Sequence, residues 1–515
     1  MTPPASSPSL LSDAPFIARI RHIMSLTAPQ QRSQALEELL QTEPCMPDTA
    51  GATFLVGGLY ERYEAWEQAA AFFSRCVVLA PEAHRSWHRL GITLFNIGDL
   101  DNGADALRRA IALAPENPDY RIDLSMVLSR QGAFQEAACL ARSALELRPG
   151  DASALNNLGH AFQCMNRSGE ALACYDQATQ IDPGNATVRF GRATAFLRAG
   201  QFREGWAEYE WRWGACQMPR LDLAVPLWEG QSLRGKTIFV HHEQGYGDTL
   251  QFVRLVRMLA GKGAKVTLQV PLPLKRLMER VQGVTEVTAT RESFLKPNYH
   301  VPLLSLPLRL KIDPSRLSSL PYLSAPLEEQ VRQGGALRQA LTAGQARPDL
   351  TVGLVWGGDP RPHDQRAFQT DRRRSVVLSR LAPLFAVDGV RFASFQMGAP
   401  RHQIAETGFP LYDATDGITD FADTAARLYG VDLLISVDTS MVHLAGGLGR
   451  PVWMLSRADA CWRWGERQTL TPWYPTMRIF HQPVSGDWES VAVDAAEMLR
   501  KLVAIYRAHQ ETEAA

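Results

Sequence analysis

The sequence predicts an all-α solenoid of helical repeats followed by an α/β half made of two doubly wound units. Pro81, Pro115, Pro149 and Pro183 recur at intervals of 34 residues, a period that belongs to stacked helical hairpins. After about residue 235 this period gives way to β-branched runs, each followed by a Gly-rich turn and a helical pattern, as in parallel sheets. The third observation is the block from Val437 to Pro451. An apolar run at 431–436 reads as a buried strand and leads into Asp438, Thr439 and Ser440, three N-cap candidates ahead of a helical stretch at 441–448. Such a strand brings the free N–H groups and positive dipole end of a helix to a sheet edge, where a diphosphate can sit.

With 515 residues, 45% hydrophobic and 21% charged, the chain can bury several cores. Lys plus Arg and Asp plus Glu each number 54, so no net field draws the chain to nucleic acid or to an anionic membrane. No apolar run approaches the roughly 18 residues of a membrane span, and residues 1–11 lack a basic n-region, so a cytoplasmic protein is expected. The cysteines, Cys45, Cys76, Cys139, Cys164, Cys174, Cys216 and Cys461, are odd in number and never spaced as Cys-x-x-Cys. That favours reduced thiols with no metal role.

Residues 1–49 hold one or two helices, about 13–40, suited to capping the apolar end of the solenoid. The repeats run over 50–214. In one period Trp87, Leu90, Gly91 and Leu94 share a helix face, Gly103, Leu107 and Ala110 share the next, and Pro115 ends the second helix. Gly98, Gly132 and Gly200 hold the turn inside the hairpin, with Asn166 in the remaining place. Asp99 and Asp101 have the spacing of a metal-binding acidic pair, but they follow Gly98 where Asp suits turn chemistry. The stretch Phe202, Trp206, Tyr209, Trp211 and Trp213 reads as a junction, because an exposed aromatic patch of that size is costly. The repeat pattern resembles the tetratricopeptide repeat, which implies a groove for a peptide or protein partner.

A linker at 215–234 leads to a first α/β domain, 235–335, with strands at 236–242, 265–270 and 299–304 and a helix at 250–259. A second, 336–510, has strands at 350–356, 391–395, 431–436 and 452–455, and residues 511–515 form a tail. The motifs Gly245-Tyr246-Gly247-Asp248-Thr249, Asp371-Arg372-x-Arg374-Ser375, Asp438-Thr439-Ser440-x-x-His443 and Trp473-Tyr474-Pro475 resemble the C-terminal domain of bacterial tetratricopeptide-repeat glycosyltransferases. These are related to the heptosyltransferases (glycosyltransferase family 9), and the resemblance extends to flagellin-glycosylating repeat transferases. It implies a GT-B pair of Rossmann-like domains facing a cleft, with the donor held by the C-terminal one. By the same resemblance Asp248 corresponds to the catalytic carboxylate, Arg374 meets the donor phosphates, and Asp438 to Ser440 bind sugar and diphosphate. One departure is visible: Gly358-Asp359-Pro360 and His363 are separated from Asp371 by a longer loop, 364–370, and Asp359 stands where the family commonly has Asn.

The residues support this chemistry, each beside a plainer alternative. Asp248 follows two glycines at a strand-to-helix turn, where a carboxylate either accepts a proton from a hydroxyl or caps a helix beginning at Thr249. Arg374, framed by Asp371 and Ser375, either grips phosphate oxygens or belongs to a solvated basic run. His443 either touches a donor or braces Asp438, and Gln396, after the 391–395 strand, is a candidate contact for base or ribose. Gly245, Gly247 and Gly358 shape the loops, whereas Gly446, Gly447 and Gly449 serve close helix packing. Trp462, Trp464 and Trp473 form a cleft wall or a core.

The expected function is an inverting, metal-independent glycosyltransferase that moves a sugar from a nucleotide-sugar, its substrate, to a protein hydroxyl recruited by the repeats. Flagellin is the acceptor the resemblance suggests, and no cofactor is expected. The alternatives are a non-catalytic repeat adaptor and a lipopolysaccharide-core glycosyltransferase.

Overall fold

The computed structural model describes residues 13–26, 31–43, 46–221, 223–290, 296–343, 348–362 and 364–514; Cys45 and His363 lie outside them. The chain forms two compact units, Met1–Phe162 with Gln180–Asp182, and Gln163–Thr179 with Pro183–Ala515.

In the first unit, helical hairpins follow one another: Ala50–Arg62 with Trp66–Leu79, His84–Ile97 with Leu100–Leu113, and Pro118–Gln131 with Phe134–Leu147. Small residues set the approach of each pair. A Cβ on Gly91 would stand 2.6 Å from the Leu107 side chain and 3.0 Å from the Gly103 carbonyl oxygen, so only glycine admits this crossing. Gly98 and Gly132 close the first helix of their hairpins in the left-handed conformation, at φ 98° and 91°. Asp99 is an N-cap whose carboxylate accepts the Asn102 N–H, which is the turn chemistry expected of it. The helices Asp13–Ser25 and Arg32–Thr42 bury Phe16, Ile20, Ile23, Ala35 and Leu39 with Val56, Leu59 and Tyr60, covering the apolar end of the stack.

The second unit contains the last repeat helices, Ala186–Arg198 and Phe202–Tyr209, and two parallel sheets. Asn166 and Gly200 take the same left-handed place there, at φ 60° and 78°. The first sheet holds β1 (Thr237–His241), β2 (Lys265–Gln269), β3 (Glu286–Thr288) and β4 (Tyr299–Pro302) in the order β3-β2-β1-β4. The second holds β5 (Leu350–Val355), β6 (Val390–Ser394), β7 (Leu411–Asp413), β8 (Leu433–Val437), β9 (Val452–Ser456) and β10 (Met477–His481), ordered β10-β9-β8-β5-β6-β7. This is the doubly wound order, in which the chain reverses direction across the sheet between its first and fourth strands. β5, β8 and β9 are buried along their whole length, as strands covered on both faces must be. The helix Trp488–Ala514 packs Val491, Ala495, Leu499 and Val503 on the side that carries Val352 and Leu354, and it takes in most of the expected tail.

Several boundaries differ from expectation. The compact units divide at 162–163, within the repeats, because Ala193, Leu197, Trp206 and Tyr209 of the last repeat share one core with Val240, Leu268 and Val301 of the first sheet. The helix after β1 begins at Tyr246 rather than residue 250, and turns 3₁₀ at Val253–Leu255 before resuming at Val256–Gly261. The anticipated long loop 364–370 is mostly helix: Asp364 accepts the Ala367 N–H at 2.9 Å and caps Gln365–Arg374.

Arg212 joins the repeat end to the first sheet. Its Nε and Nη2 donate to the two carboxylate oxygens of Glu243 at 2.7 and 2.9 Å. Nη1 donates to Glu210 Oε1 and Tyr209 O, and Nη2 also to Ser305 Oγ. Burial pushes the Glu243 carboxyl up, against the pull of Arg212. Nearby, His241 of β1 stacks on His300 of β4 with ring centroids 5.5 Å apart, and burial together with His300 lowers His241 from 6.5 to about 3.

Both buried groups bear on stability. Arg212→Met leaves Glu243 buried without its cation and is expected to cost about 3–5 kcal/mol, read as a lower urea midpoint, with Glu243→Gln restoring part of it. Because the folded His241 refuses a proton that the unfolded chain accepts below pH 6.5, stability is full above that pH and falls toward pH 3. The loss at pH 5 is on the order of 2 kcal/mol from His241 alone, and His241→Gln should flatten the urea-midpoint profile between pH 7.5 and 5.

Candidate functional site

The residues singled out in the sequence gather at the carboxyl ends of β1, β5 and β8, strands that flank the reversal point of each sheet. In doubly wound sheets the crevice outside those ends is where ligands bind. From β1 the chain runs through Glu243 to Gly245, the N-cap of the helix Tyr246–Phe252. Asp248 is therefore the third helical residue and not the cap itself. Its Oδ2 reaches back to accept the Gly245 N–H at 2.9 Å, an orphan donor that needs a partner. Its Oδ1 receives Nη2 of Arg463 in a short ion pair.

Gly247 is required by what faces it. A Cβ there would stand 2.8 Å from the ring of His443 on the helix Ser440–Gly447, so the helix that follows β1 lies directly on the helix that follows β8. Gly245, by contrast, has ordinary extended angles, and a Cβ would meet nothing closer than 3.4 Å; its contribution is its N–H, not its missing side chain. Gly446, one turn further along the same helix, admits the Tyr474 ring, where a Cβ would approach to 2.5 Å.

At the end of β8, Thr439 is the N-cap, its Oγ1 accepting the Met441 N–H, and the helix starts at Ser440, one residue before the expected position. Asp438, Thr439 and Ser440 are all partly exposed. Asp438 Oδ2 accepts from Trp464 Nε1 at 3.0 Å. Trp464 stacks on His443, whose Nδ1 pairs with the Tyr474 hydroxyl at 2.9 Å. Burial, and then Arg463, holds His443 well below its ordinary range and hence neutral. His443 thus braces Asp438 only through Trp464, and it lies behind Gly247 rather than open to a ligand.

At the end of β5 the loop Trp356-Gly357-Gly358 is held from two sides. Gln396 Oε1 accepts the N–H groups of Trp356 and Gly357, and its Nε2 donates to the carbonyls of Gly357 and Met397. With its amide fully occupied and buried, Gln396 braces the loop at the end of β5. Ser375 Oγ accepts the Gly358 N–H at 3.0 Å and donates to Asp371 at 3.2 Å, so it too supports the loop. A Cβ on Gly358 would stand 2.2 Å from both Arg374 Nη2 and Asp371 Oδ1, so a side chain there would displace that ion pair. Arg374 ends its helix, pairs with Asp371 at 2.8 Å, and turns Nη1 toward the Asp438 carbonyl at 3.5 Å.

Three side chains were missed by sequence reasoning. Arg463 stands between two tryptophans read as wall or core, and its ion pair spans 215 residues of chain. Arg457 follows β9 directly, beside Asp459 at 3.4 Å; burial pulls it down, but Asp459 and Asp438 outweigh that and hold it above its ordinary value. Asp459 also accepts from Arg373 at 3.2 Å. The position of Arg457 just past a strand was the available signal. Trp473 belongs to the core with Trp206, Phe252 and Trp462. Among the described residues no cluster of three or more His, Cys, Asp and Glu side chains could hold a metal ion, and no helix is long and apolar enough to cross a membrane.

Chemically, the arrangement offers a carboxylate at one sheet edge, and cations with helix N–H groups at the other. Comparison with known proteins bears on the repeats. Residues 88–152 and 152–185 match tetratricopeptide repeat families. The chain is 28% identical over 487 residues to Protein FlbA of Caulobacter vibrioides, spanning 89% of this chain and 80% of that protein. Among solved structures, YrrB, described as a TPR protein with an unusual peptide-binding site, is 23% identical with a TM-score of 0.28 and covers 33% of this chain and 87% of its own. TTC0263, a thermophilic TPR protein of Thermus thermophilus, is 18% identical with a TM-score of 0.29, covering 33% and 92%. The chain carries tetratricopeptide repeats ahead of a region of parallel sheets.

Proposed function

We propose that the protein is an inverting glycosyltransferase of GT-B architecture, moving a sugar from a nucleoside diphosphate sugar to a hydroxyl of a protein engaged by the repeats. The observation that carries this reading is the meeting of Asp248 with the start of the helix Ser440–Gly447. Gly247 lies against His443, and the consecutive residues Arg463 and Trp464 hold Asp248 and Asp438.

In this reading Asp248 takes the proton of the acceptor hydroxyl as its oxygen attacks the anomeric carbon opposite the departing diphosphate, inverting that carbon. Arg374 and the N–H groups near Ser440 receive the charge that grows on the leaving oxygen, a role that needs no proton transfer. Repeats on the same chain raise the effective concentration of a bound acceptor at the base. A repeat adaptor is the second reading, and one observation favours it: both oxygens of Asp248 are already engaged, as they would be in a purely structural carboxylate.

Intact-mass spectrometry of flagellin co-expressed with the chain should show an added sugar. Asp248→Asn is expected to lower transfer by about 10²–10⁴-fold and Arg374→Ala by about 10²–10³-fold, both in chains that stay folded at lowered thermal midpoints, since each change breaks an ion pair. Full turnover in the Asn variant removes the base assignment. UDP, GDP or ADP at about 100 times its Kd should stabilise the chain by about 2.7 kcal/mol; no shift with any of them favours the adaptor.

A further inference from the structure

We infer that Arg463 is the positioning residue for Asp248, fixing the orientation of the carboxylate while the neighbouring Trp464 fixes that of Asp438. This inference rests on the transferase reading and concerns residues to which that reading gave no role.

Every polar atom of the Arg463 guanidinium has an assigned direction. Nη2 meets Asp248 Oδ1, Nε donates to Gln251 Oε1 at 2.5 Å, and Nη1 contacts Cys461 Sγ at 3.2 Å. The Trp462 ring lies 4.3 Å below the guanidinium carbon, and Phe252 adds a second aromatic face at 5.7 Å. A planar guanidinium clamped at three edges and one face has no freedom to follow the carboxylate, so the carboxylate must conform to it. With Oδ2 tied to the Gly245 N–H, Asp248 is held at two points, and its plane is set before any substrate arrives.

Gln251 shows that this clamp is not incidental packing. Its amide is fully buried, and turning Oε1 toward Arg463 leaves Nε2 without a hydrogen-bond partner among the described residues. An unsatisfied buried donor costs about 1–3 kcal/mol, yet the reverse amide orientation would set donor against donor and release Arg463. The fold accepts an unpaired amide to keep the guanidinium in place. Because Arg463 and Trp464 are adjacent in the 3₁₀ turn Trp462–Trp464, the spacing between the two carboxylates is set by a single rigid peptide segment.

The test uses the purified full chain, with flagellin as acceptor and the sugars of UDP, GDP and ADP as donors. Arg463→Met is expected to lower kcat by about 10²-fold, the scale of a misplacement of about 1 Å, with donor KM within about threefold, in a chain that stays folded at a lowered thermal midpoint because Asp248 loses its cation. Arg463→Lys, which keeps the charge, should recover about tenfold of that loss. In an Asp248→Asn background Arg463→Met should remove nothing further, since both changes act on one group. Undiminished kcat in Arg463→Met, or an equal loss in the Asn background, overturns the positioning role. If the Met variant does not fold, Arg463→Lys decides alone: a lowered kcat at unchanged KM supports the role and full kcat overturns it. No transfer by the unaltered chain from any of the three donors overturns the transferase reading, and the inference with it.

Discussion

The loop that carries Asp248 is held by a buried charge, and the shape of the second unit depends on how that charge is satisfied. Arg212 is fully buried, and each of its five N–H groups meets an acceptor, two of them on Glu243. Glu243 Oε1 also accepts the Leu304 N–H just beyond β4. A guanidinium in this setting is tolerable only when complete, because the desolvation it suffers is repaid by geometry and not by distance alone. The pair therefore fixes three segments at once: the end of the last repeat helix, the turn after β1, and the turn after β4. Asp248 sits five residues beyond Glu243, in the first turn of the helix Tyr246–Phe252.

Around this ion pair the junction is aromatic. Trp206 contacts Tyr209, Phe252, Trp462 and Trp473 edge to face, and its indole N–H donates to the Ile312 carbonyl. Edge-to-face geometry lets each ring present its positive rim to a neighbouring π face, so a large apolar cluster stays rigid without flat stacking. Phe252 and Trp462, whose rings both meet the Arg463 guanidinium, belong to the same cluster. The last repeat is thus part of the wall that supports the candidate site, a consequence of burying Trp206 in the sheet core rather than in the solenoid.

Much of this was legible in the sequence, and what was not follows a physical rule. The 34-residue period located Gly98, Gly132, Asn166 and Gly200, all of which adopt the left-handed turn that the period demands. Buried central strands such as β5, β8 and β9 stood out because both of their faces are apolar. β3, β7 and β10 were missed, and each is an edge strand; β3 and β7 are only three residues long. Half-covered strands carry too few apolar residues to be distinguished from loops. Gly247 and Gly358 were legible as loop formers, but the residues that crowd them, His443 for the one and Arg374 with Asp371 for the other, lie far along the chain or around a helix that periodicity did not reveal. Arg463 could not be paired with Asp248 from sequence, since only the fold brings positions 215 apart into contact.

Charge at the candidate site is nearly self-compensated, which constrains how an anion would enter. Arg463 is matched to Asp248, Arg373 and Arg457 share Asp459, and Arg374 pairs with Asp371. A diphosphate arriving at such a site must draw a cation away from a partner it already has. Arg463 and Arg457 are poorly suited to that, because they are buried and locked by their surroundings. Arg373 and Arg374 are about equally exposed, and the contact of Arg374 with the Asp438 carbonyl, at 3.5 Å, is the longest bond in the group. That same contact aims its guanidinium at the start of the helix Ser440–Gly447, where free N–H groups and the positive end of the helix dipole already favour an anion. Exchange of a weak carbonyl contact at Nη1 for a charge-assisted one loses little. Arg374 would keep Nε and Nη2 on Asp371 through this exchange, so only Nη1 has to change partner.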